Sequence, residues 1–557
     1  MKKVNVVSKI INSMIKVFPE KTPAHEEYSS TTLKNEALHF QLVYQNQEEY
    51  LLKLNTIEVR GALAALVDLR IVEPMPATLL PLKYIDDYYL SKETGLYPEL
   101  LRPFDEMGLM LPAGQWRAVW VRIENADGLP VGTFDMQFVL KGENGDELDV
   151  LSYTVEVLDA ESAPTDLKLS NWIHYDCIAD RHGLEPFSEA FYKVLESYLE
   201  AYVKCGFTML LTPLFTPPLD TKVGGERRTT QLVKVRVQDG KYAFDLAPLE
   251  KFIRFVLSHG IRYIEFSHLF TQWGGKCCPK IVAEVNGEEK RIFGWETDSL
   301  SDEYKAFLSA LLPQIVALVK KLGLEKNCVF HLTDEPSEEH FERYQALYKF
   351  VKPLLGELPT MDALSHYEYY EKGAVDIPVP VLNTYQHFKD KGLKELYLYY
   401  CCGPTNMYFT NRLMNMPLQR TRILGMQLYE TGVQGFLHWG FNFYNSVFSV
   451  KSVDPYFDSS AGGGFPSGDS FIVYPTKEGG VLRSVRYEAL REGFQDYRAL
   501  KTLEGYIGRE KVLDILHDEG IFGLTEYPRD SGRHARLKQK INALICEYAK
   551  GAMGEKI

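Results

Sequence analysis

Cys328-Val329-Phe330-His331-Leu332 runs directly into Thr333-Asp334-Glu335-Pro336. A short apolar run of this kind reads as a buried strand, and the proline that follows cannot continue a ladder. Two adjacent carboxylates are thereby delivered to the loop beyond a strand, which in a barrel of parallel strands is the catalytic face. Consecutive side chains on a strand point to opposite faces, so Asp334 and Glu335 converge on one ligand only where the chain leaves strand geometry. Pro336 favours that departure, because it restricts Glu335 to extended or turn conformations and suits the first turn of a helix containing Ser337, Glu338 and Glu339. Acids at a helix start also complement its dipole with no other role, so the surroundings must decide between the two readings.

The pattern around this run repeats. Tyr304, Phe307, Leu308, Leu311, Ile315, Val316 and Val319 recur at helical spacing and stop near Gly323, just before the strand that carries Asp334. Leu249, Phe252, Ile253 and Val256 precede Gly260 and a strand at 262–266; Phe191, Val194, Leu195, Tyr198, Leu199 and Tyr202 precede Gly206 and a strand at 207–211. With 167–175, 328–332, 359–364, 378–383, 395–400 and 435–439, the count of strands reaches eight. An eightfold strand and helix alternation predicts a (β/α)8 TIM-like barrel with insertions. A doubly wound open sheet is the alternative, but no Gly-x-Gly-x-x-Gly or P-loop spacing supports a nucleotide site.

Before the barrel the period changes to two. Segments 38–44, 116–123, 134–140 and 152–157 alternate, with turn signals at Asn125-Ala126-Asp127-Gly128 and Glu143-Asn144-Gly145, which predicts an antiparallel β-sandwich. A linker falls at 159–166. The expected organisation is a sandwich over 1–163, a catalytic barrel over 164–505, and C-terminal helices over 506–557. In those helices Val512, Leu513, Ile515, Leu516, Leu537, Ile541 and Leu544 are read as faces packed on the barrel.

Composition narrows the class of partner. The 557 residues carry a net charge of −13 and no long basic run, which argues against a nucleic-acid partner. No segment has the ~18 continuous apolar residues of a membrane helix, and Asn5, Ser8, Lys9, Asn12 and Lys16 break any signal-peptide core, so a cytoplasmic location is expected. The eight cysteines, Cys277-Cys278 and Cys401-Cys402 among them, lack Cys-x-x-Cys spacing and neighbouring histidines; reduced thiols are expected, with no metal and no cofactor. The 34 Tyr, 30 Phe and 6 Trp suit clefts that hold the apolar faces of sugar rings.

Residues just past barrel strands share one face. Here they include Trp172, His174, Tyr175 and Asp176 after the first strand, Asn383 and Tyr385 after the sixth, and His438, Trp439 and Asn442 after the eighth. The insertion 443–469, with Gly462-Gly463-Gly464, is placed as a lid or rim. His331, inside its strand, reads as a supporting group. Aromatic walls and polar anchors around paired acids are what glycosidic chemistry requires. Ordinary glycosidases use two carboxyls roughly 5 to 9.5 Å apart across the scissile bond. Sequence neighbours suit substrate assistance better, in which the sugar's own 2-acetamido oxygen is the nucleophile.

Together these motifs resemble glycoside hydrolase family 123. The resemblance runs through Asn35-Glu36 to Gln41, Trp172-Ile173-His174-Tyr175-Asp176, Thr333-Asp334-Glu335-Pro336, Tyr400-Cys401-Cys402-Gly403-Pro404, Gly435-Phe436-Leu437-His438-Trp439-Gly440, Gly468-Asp469 with Tyr474-Pro475, and Glu492-Gly493-Phe494-Gln495-Asp496-Tyr497. It implies a β-sandwich followed by a β/α barrel and β-N-acetylgalactosaminidase activity on glycans or glycolipid-derived oligosaccharides with a terminal N-acetylhexosamine. Asp334 is then the residue that holds the acetamide as it becomes an oxazolinium ion. Glu335 is the general acid and then base, protonated at rest with its pKa raised by burial and by its neighbour. The expected sugar contacts are Trp172, His174, Asn383, Tyr385, Trp439, Asp469 and Tyr474. Two alternatives stay open: a two-carboxylate glycosidase pairing Glu335 with Glu265, Asp362 or Asp376, and a non-hydrolytic carbohydrate-binding protein.

Overall fold

A computed structural model of the chain describes residues 4–81, 83–105 and 107–554. The outermost residues of the expected first and last domains, 1–3 and 555–557, lie outside the described residues. The chain divides into two compact units, one of Met1–Thr165, Thr405–Gly432 and Leu482–Ile557, the other of Asp166–Pro404 and Val433–Val481.

The first unit is built on two five-stranded sheets. In one, Val6–Asn12, Leu38–Asn46, Trp116–Ile123, Val67–Ala77 and Gly95–Pro103 pair antiparallel in that order. In the other, Glu147–Leu158, Gly132–Gly142, Leu52–Arg60 and Leu109–Leu111 are antiparallel, and Ser29–Leu33 adds to the edge in parallel. Alternation along Trp116–Ile123 sorts its side chains between two cores. Val119, Val121 and Ile123 meet Phe40, Phe138 and Tyr153 between the sheets. Trp116, Ala118 and Trp120 join Leu418, Val485 and Ala489, so both faces of the strand are buried.

Helix Val485–Ile507 and helix Ser531–Gly554 belong to this first unit. Buried ion pairs tie them in: Arg486 to Glu99, and Lys538 to Glu36, while Arg422 bonds both Glu492 and Asp496, and Asp496 also meets His534. The tail helices thus share their internal contacts with the first unit. An apolar stripe announces that a helix face is buried, and carries no address for its partner.

In the second unit eight short parallel strands appear among the described residues: β1 (Lys168–Asn171), β2 (Met209–Thr212), β3 (Tyr263–Phe266), β4 (Cys328–Phe330), β5 (Met361–Ala363), β6 (Ile377–Val379), β7 (Tyr397–Tyr399) and β8 (Gly435–His438). Six form one sheet in the order β4-β3-β2-β1-β8-β7, and β5 pairs with β6. Isolated parallel bridges from Phe330 to Thr360 and from Val381 to Tyr399 link that pair to the two ends of the six-stranded sheet. The parallel sheet is thus strongly curled. Helices return the chain between strands and are punctuated as the sequence reads: Ser188 and Ser301 cap the starts of Glu189–Cys205 and Asp302–Leu322, and Gly206 and Gly323 end them in left-handed conformation. A four-stranded sheet of two hairpins, Lys234–Gln238 with Lys241–Asp245 and Ile281–Val285 with Glu288–Phe293, interrupts the alternation. Among the described residues no helix is long and apolar enough to cross a membrane.

Candidate active site

The strand that leads to the paired acids stops at Phe330, and the chain then turns. Thr333 Oγ1 donates to the Thr271 carbonyl (2.6 Å), the Asp334 carbonyl accepts the Trp273 amide (2.7 Å), and the Glu335 amide donates to Ala363 O at the end of β5 (3.0 Å). Glu335 takes φ +43°, a left-handed conformation costly for a residue with a Cβ. Pro336 was expected to leave Glu335 extended or in a turn; the turn it adopts is the left-handed one. This twist, held by backbone bonds on both sides, lets neighbouring acids share one cavity of about 140 Å³.

Trp172, Trp439 and Asp469 line that cavity with Asp334 and Glu335, so five of the expected site residues meet there. Asp220, Gln272, Trp273, Tyr399, Cys401, Cys402 and Phe465 complete much of the wall. Sequence reading placed none of these among the sugar contacts, although Cys401 and Cys402 stand in a motif of the family resemblance and Phe465 in the insertion read as a lid or rim. Tyr399, at the tip of β7, carries the one available signal, since it is a polar aromatic at a strand end. Asp220, Gln272, Trp273 and Phe465 lie in loops without periodicity.

Four expected contacts lie outside the lining. His174 is buried behind Trp439, with Nε2 2.8 Å from the Trp439 carbonyl and Nδ1 3.1 Å from Arg227. Burial and the Arg227 charge push its pKa down to about 3, so it braces the wall as a neutral ring. Asn383 is exposed in the short 3-10 turn Leu382–His387, where Tyr385 is buried. Tyr474 is fully buried against Phe471 and Tyr456. A position near a strand end brings a side chain to the right region, but the following turn decides whether it faces inward.

The wall residues are held by specific partners. Tyr399 donates its hydroxyl to Glu335 Oε1 at 2.7 Å; burial, then the Glu335 charge, keeps that phenol protonated by raising its pKa far above the usual range. Trp439 Nε1 donates to Asp469 Oδ2 (3.1 Å), and His438 Nε2 lies 3.3 Å from Asp469 Oδ1. The Gly440 amide donates to His438 Nδ1 (3.0 Å), which places the imidazole proton on Nε2, toward Asp469. Asp469 thereby fixes the Trp439 plane. Asp334 is half-buried, and burial together with the adjacent Glu335 carboxylate raises its pKa well above the usual carboxylate range. Burial also lifts Asp220 to about 6, opposed by Arg227.

Beneath the cavity His331 is fully buried between two carboxylates, with Nε2 2.6 Å from Glu265 Oε1 and Nδ1 3.0 Å from Asp362 Oδ1. Glu265 also accepts the Trp172 indole N–H (2.7 Å). Ligand atoms of His268, His331 and Asp362 come within 4.8 Å of one another. Both His331 nitrogens are already engaged by carboxylates, so the trio does not fit an open metal site. Asp376 faces Lys352 (2.8 Å) and the Thr360 amide (2.8 Å), ahead of β6 and away from the strand ends that form the cavity. None of Glu265, Asp362 and Asp376 lines the cavity.

No curated protein sequence matches the chain. Among solved structures, a family 123 glycoside hydrolase from Clostridium perfringens, described in terms of glycolipid glycan hydrolysis, superposes with a TM-score of 0.75 at 14% identity, covering 99% of this chain and 100% of its own. A GH2 beta-galacturonidase from Eisenbergiella tayi covers 82% of this chain and 68% of its own at 10% identity, but its TM-score is 0.33. The model of the family described as "Glycoside hydrolase 123, catalytic domain" matches residues 172–503. That match spans more than half of the sequence and takes in both acids and the aromatic wall around them: the chain belongs to glycoside hydrolase family 123.

Proposed function

We propose that this glycoside hydrolase releases terminal β-linked N-acetylgalactosamine from glycolipid-derived glycans by substrate assistance, with the curled sheet acting as a (β/α)8 barrel whose strand ends carry the site. Asp334 and Glu335 are its catalytic residues, and Trp172, Trp439 and Asp469 its sugar-facing wall. In the first step the 2-acetamido carbonyl oxygen attacks C1 as the glycosidic bond breaks. Glu335 gives its proton to the leaving oxygen, and Asp334 accepts the amide N–H, balancing the charge of the forming oxazolinium. In the second step Glu335 takes a proton from water, whose oxygen attacks C1 and reopens the ring with the β configuration retained. The acetamide N–H gives Asp334 the donor that its ionised form needs in a place where burial disfavours charge. The glycolipid source rests on what is described for the Clostridium perfringens relative.

One observation carries the reading: adjacent Asp334 and Glu335 share the cavity, whereas Glu265, Asp362 and Asp376 are committed to other partners. None of the three distant acids weighed as a partner for Glu335 therefore lines the cavity. The test is hydrolysis of an aryl N-acetyl-β-galactosaminide beside the matched β-galactoside, by wild type and Glu335→Gln. Turnover confined to the acetamido substrate and lost in the variant is expected. Equal turnover of the plain galactoside would overturn substrate assistance.

A further inference from the structure

We propose that His331 is a positioning residue for the hydrolytic reaction, a permanently charged imidazolium that clamps Glu265 and Asp362 and through them sets the loop of Asp334 and Glu335 and the plane of Trp172. Donor and acceptor counting supports the charge. Asp362 accepts the backbone amides of Leu332 (3.0 Å) and Thr333 (3.4 Å) and the Tyr344 hydroxyl (2.5 Å), while Glu265 accepts the Trp172 indole (2.7 Å) and meets Ser170 Oγ (2.5 Å). Amide and indole N–H groups can only donate, so both carboxylates act as acceptors toward them. A neutral imidazole has one N–H and would leave one carboxylate facing a bare ring nitrogen, whereas an imidazolium donates to both.

The clamp reaches the reacting groups by two short routes. Through Asp362 it grips the amides immediately before Asp334, and through Glu265 it fixes a cavity-lining indole. His331, Glu265 and Asp362 come from consecutive parallel strands or the residues just beyond them, so the cluster also ties those strand ends together. The groups facing His331 are Glu265, Asp362, the ring of His268 stacked at 4.4 Å, the edge of Trp172 and, more distantly, Asp334. Burial alone would lower the His331 pKa; the bonds and charges of Asp362 and Glu265 outweigh it and push it up to about 10. His268 is driven the other way by burial and by His331, so the stacked pair carries a single charge. That charge opposes the upward shift that burial, Glu335, Asp362 and Asp220 impose on Asp334.

Two experiments test this. Neutron diffraction from deuterated wild-type crystals at pH 8 should show deuterons on both His331 nitrogens; a bare nitrogen would overturn the proposal whatever the substrate proves to be. In His331→Gln, kcat should fall about 10²-fold, the scale of a small misplacement of reacting groups, with KM changed far less. The acidic limb of the pH–rate profile should also move to higher pH as Asp334 loses the nearby cation. The kinetic arm rests on Asp334 acting as proposed, and it is read with whichever glycoside the wild type hydrolyses. An unmoved acidic limb would leave His331 a purely structural residue and sink the positioning role. If the variant does not fold, the deuteron positions decide alone.

Discussion

The Tyr399 hydroxyl lies 2.7 Å from Glu335 Oε1, joining the tip of β7 to a residue held in left-handed conformation beyond β4. Glu335 is exposed to the cavity, so few other contacts restrain its side chain. The phenol occupies one carboxyl oxygen, which leaves the other for the leaving group in the reaction proposed above. Tyr399→Phe keeps the ring and deletes that bond. A hydrogen bond to the carboxyl form that the proposed first step uses is worth ~0.5–1.5 kcal/mol, so kcat/KM should fall by up to about tenfold while the melting temperature changes little. Steady-state kinetics beside thermal unfolding checks both halves, and an unaltered kcat/KM would mean that Glu335 is oriented by something else.

Asp334 makes a prediction about stability with a definite sign. Its folded-state pKa lies well above the ordinary carboxylate range, first through burial and then through Glu335. A carboxyl raised in the folded state contributes fully while it is protonated in both states, and that contribution is lost as pH climbs from the unfolded value, ~3.9, through the folded one. Asp334→Asn removes an ionisation that the folded state disfavours and should raise the melting temperature at neutral pH, with the gain shrinking toward pH 4. The same variant should lose turnover of the acetamido substrate, a trade of activity for stability. Melting curves across pH 4 to 8 that run parallel for variant and wild type would contradict the assignment.

The second, third and fourth parallel strands were legible because each apolar run follows a helical stripe and a glycine, which leaves few alternatives; the fifth to seventh are separated by no such stripe, having only Glu368–Glu371 and the turn Leu382–His387 between them. The paired acids were legible because Pro336 fixes where the strand must end. The hairpin sheet was missed although Asp239-Gly240 and Asn286-Gly287 are strong turn signals, both adopting positive φ at each residue. Its strands, such as Lys234–Gln238, expose alternate charged residues and read as loop by hydrophobicity. The cavity wall was half legible for a related reason. Trp172 and Trp439 sit beside strand ends, but Trp273 and Phe465 reach the cavity from irregular loops, and only the folded chain shows it.

Asp220 is such a loop residue, and it lines the cavity with φ +40°. Its Oδ2 accepts the Phe448 amide at 2.9 Å, and burial holds its pKa at about 6. Its charge also contributes to the raised pKa of Asp334. Asp220→Asn should therefore remove an ionisation near pH 6 from the pH dependence of kcat/KM and shift the acidic limb of Asp334 downward. Comparing the two profiles on one aryl glycoside tests this; a limb that stays in place would show that Asp220 does not communicate with Asp334.

The Glu492-Gly493-Phe494 segment belongs to the motifs of the family resemblance, yet it lies in the first unit and its glycine has a packing role. Helix Leu424–Thr431 crosses helix Val485–Ile507 so closely that a Cβ on Gly425 would fall 1.7 Å from the Gly493 carbonyl oxygen. A Cβ on Gly493 would in turn meet the Arg422 carbonyl at 2.5 Å. Those obstacles are backbone atoms and cannot rotate away, so neither glycine tolerates even a methyl group unless the helices separate. Separation would pull Arg422 from Glu492 and Asp496, a buried ionic group whose partners are costly to leave unpaired. Gly425→Ala, although it favours the helical state locally, should destabilise the first unit by at least the ~1–3 kcal/mol typical of overpacking. Urea unfolding measures that loss, and a neutral or stabilised variant would mean that the two helices move apart freely.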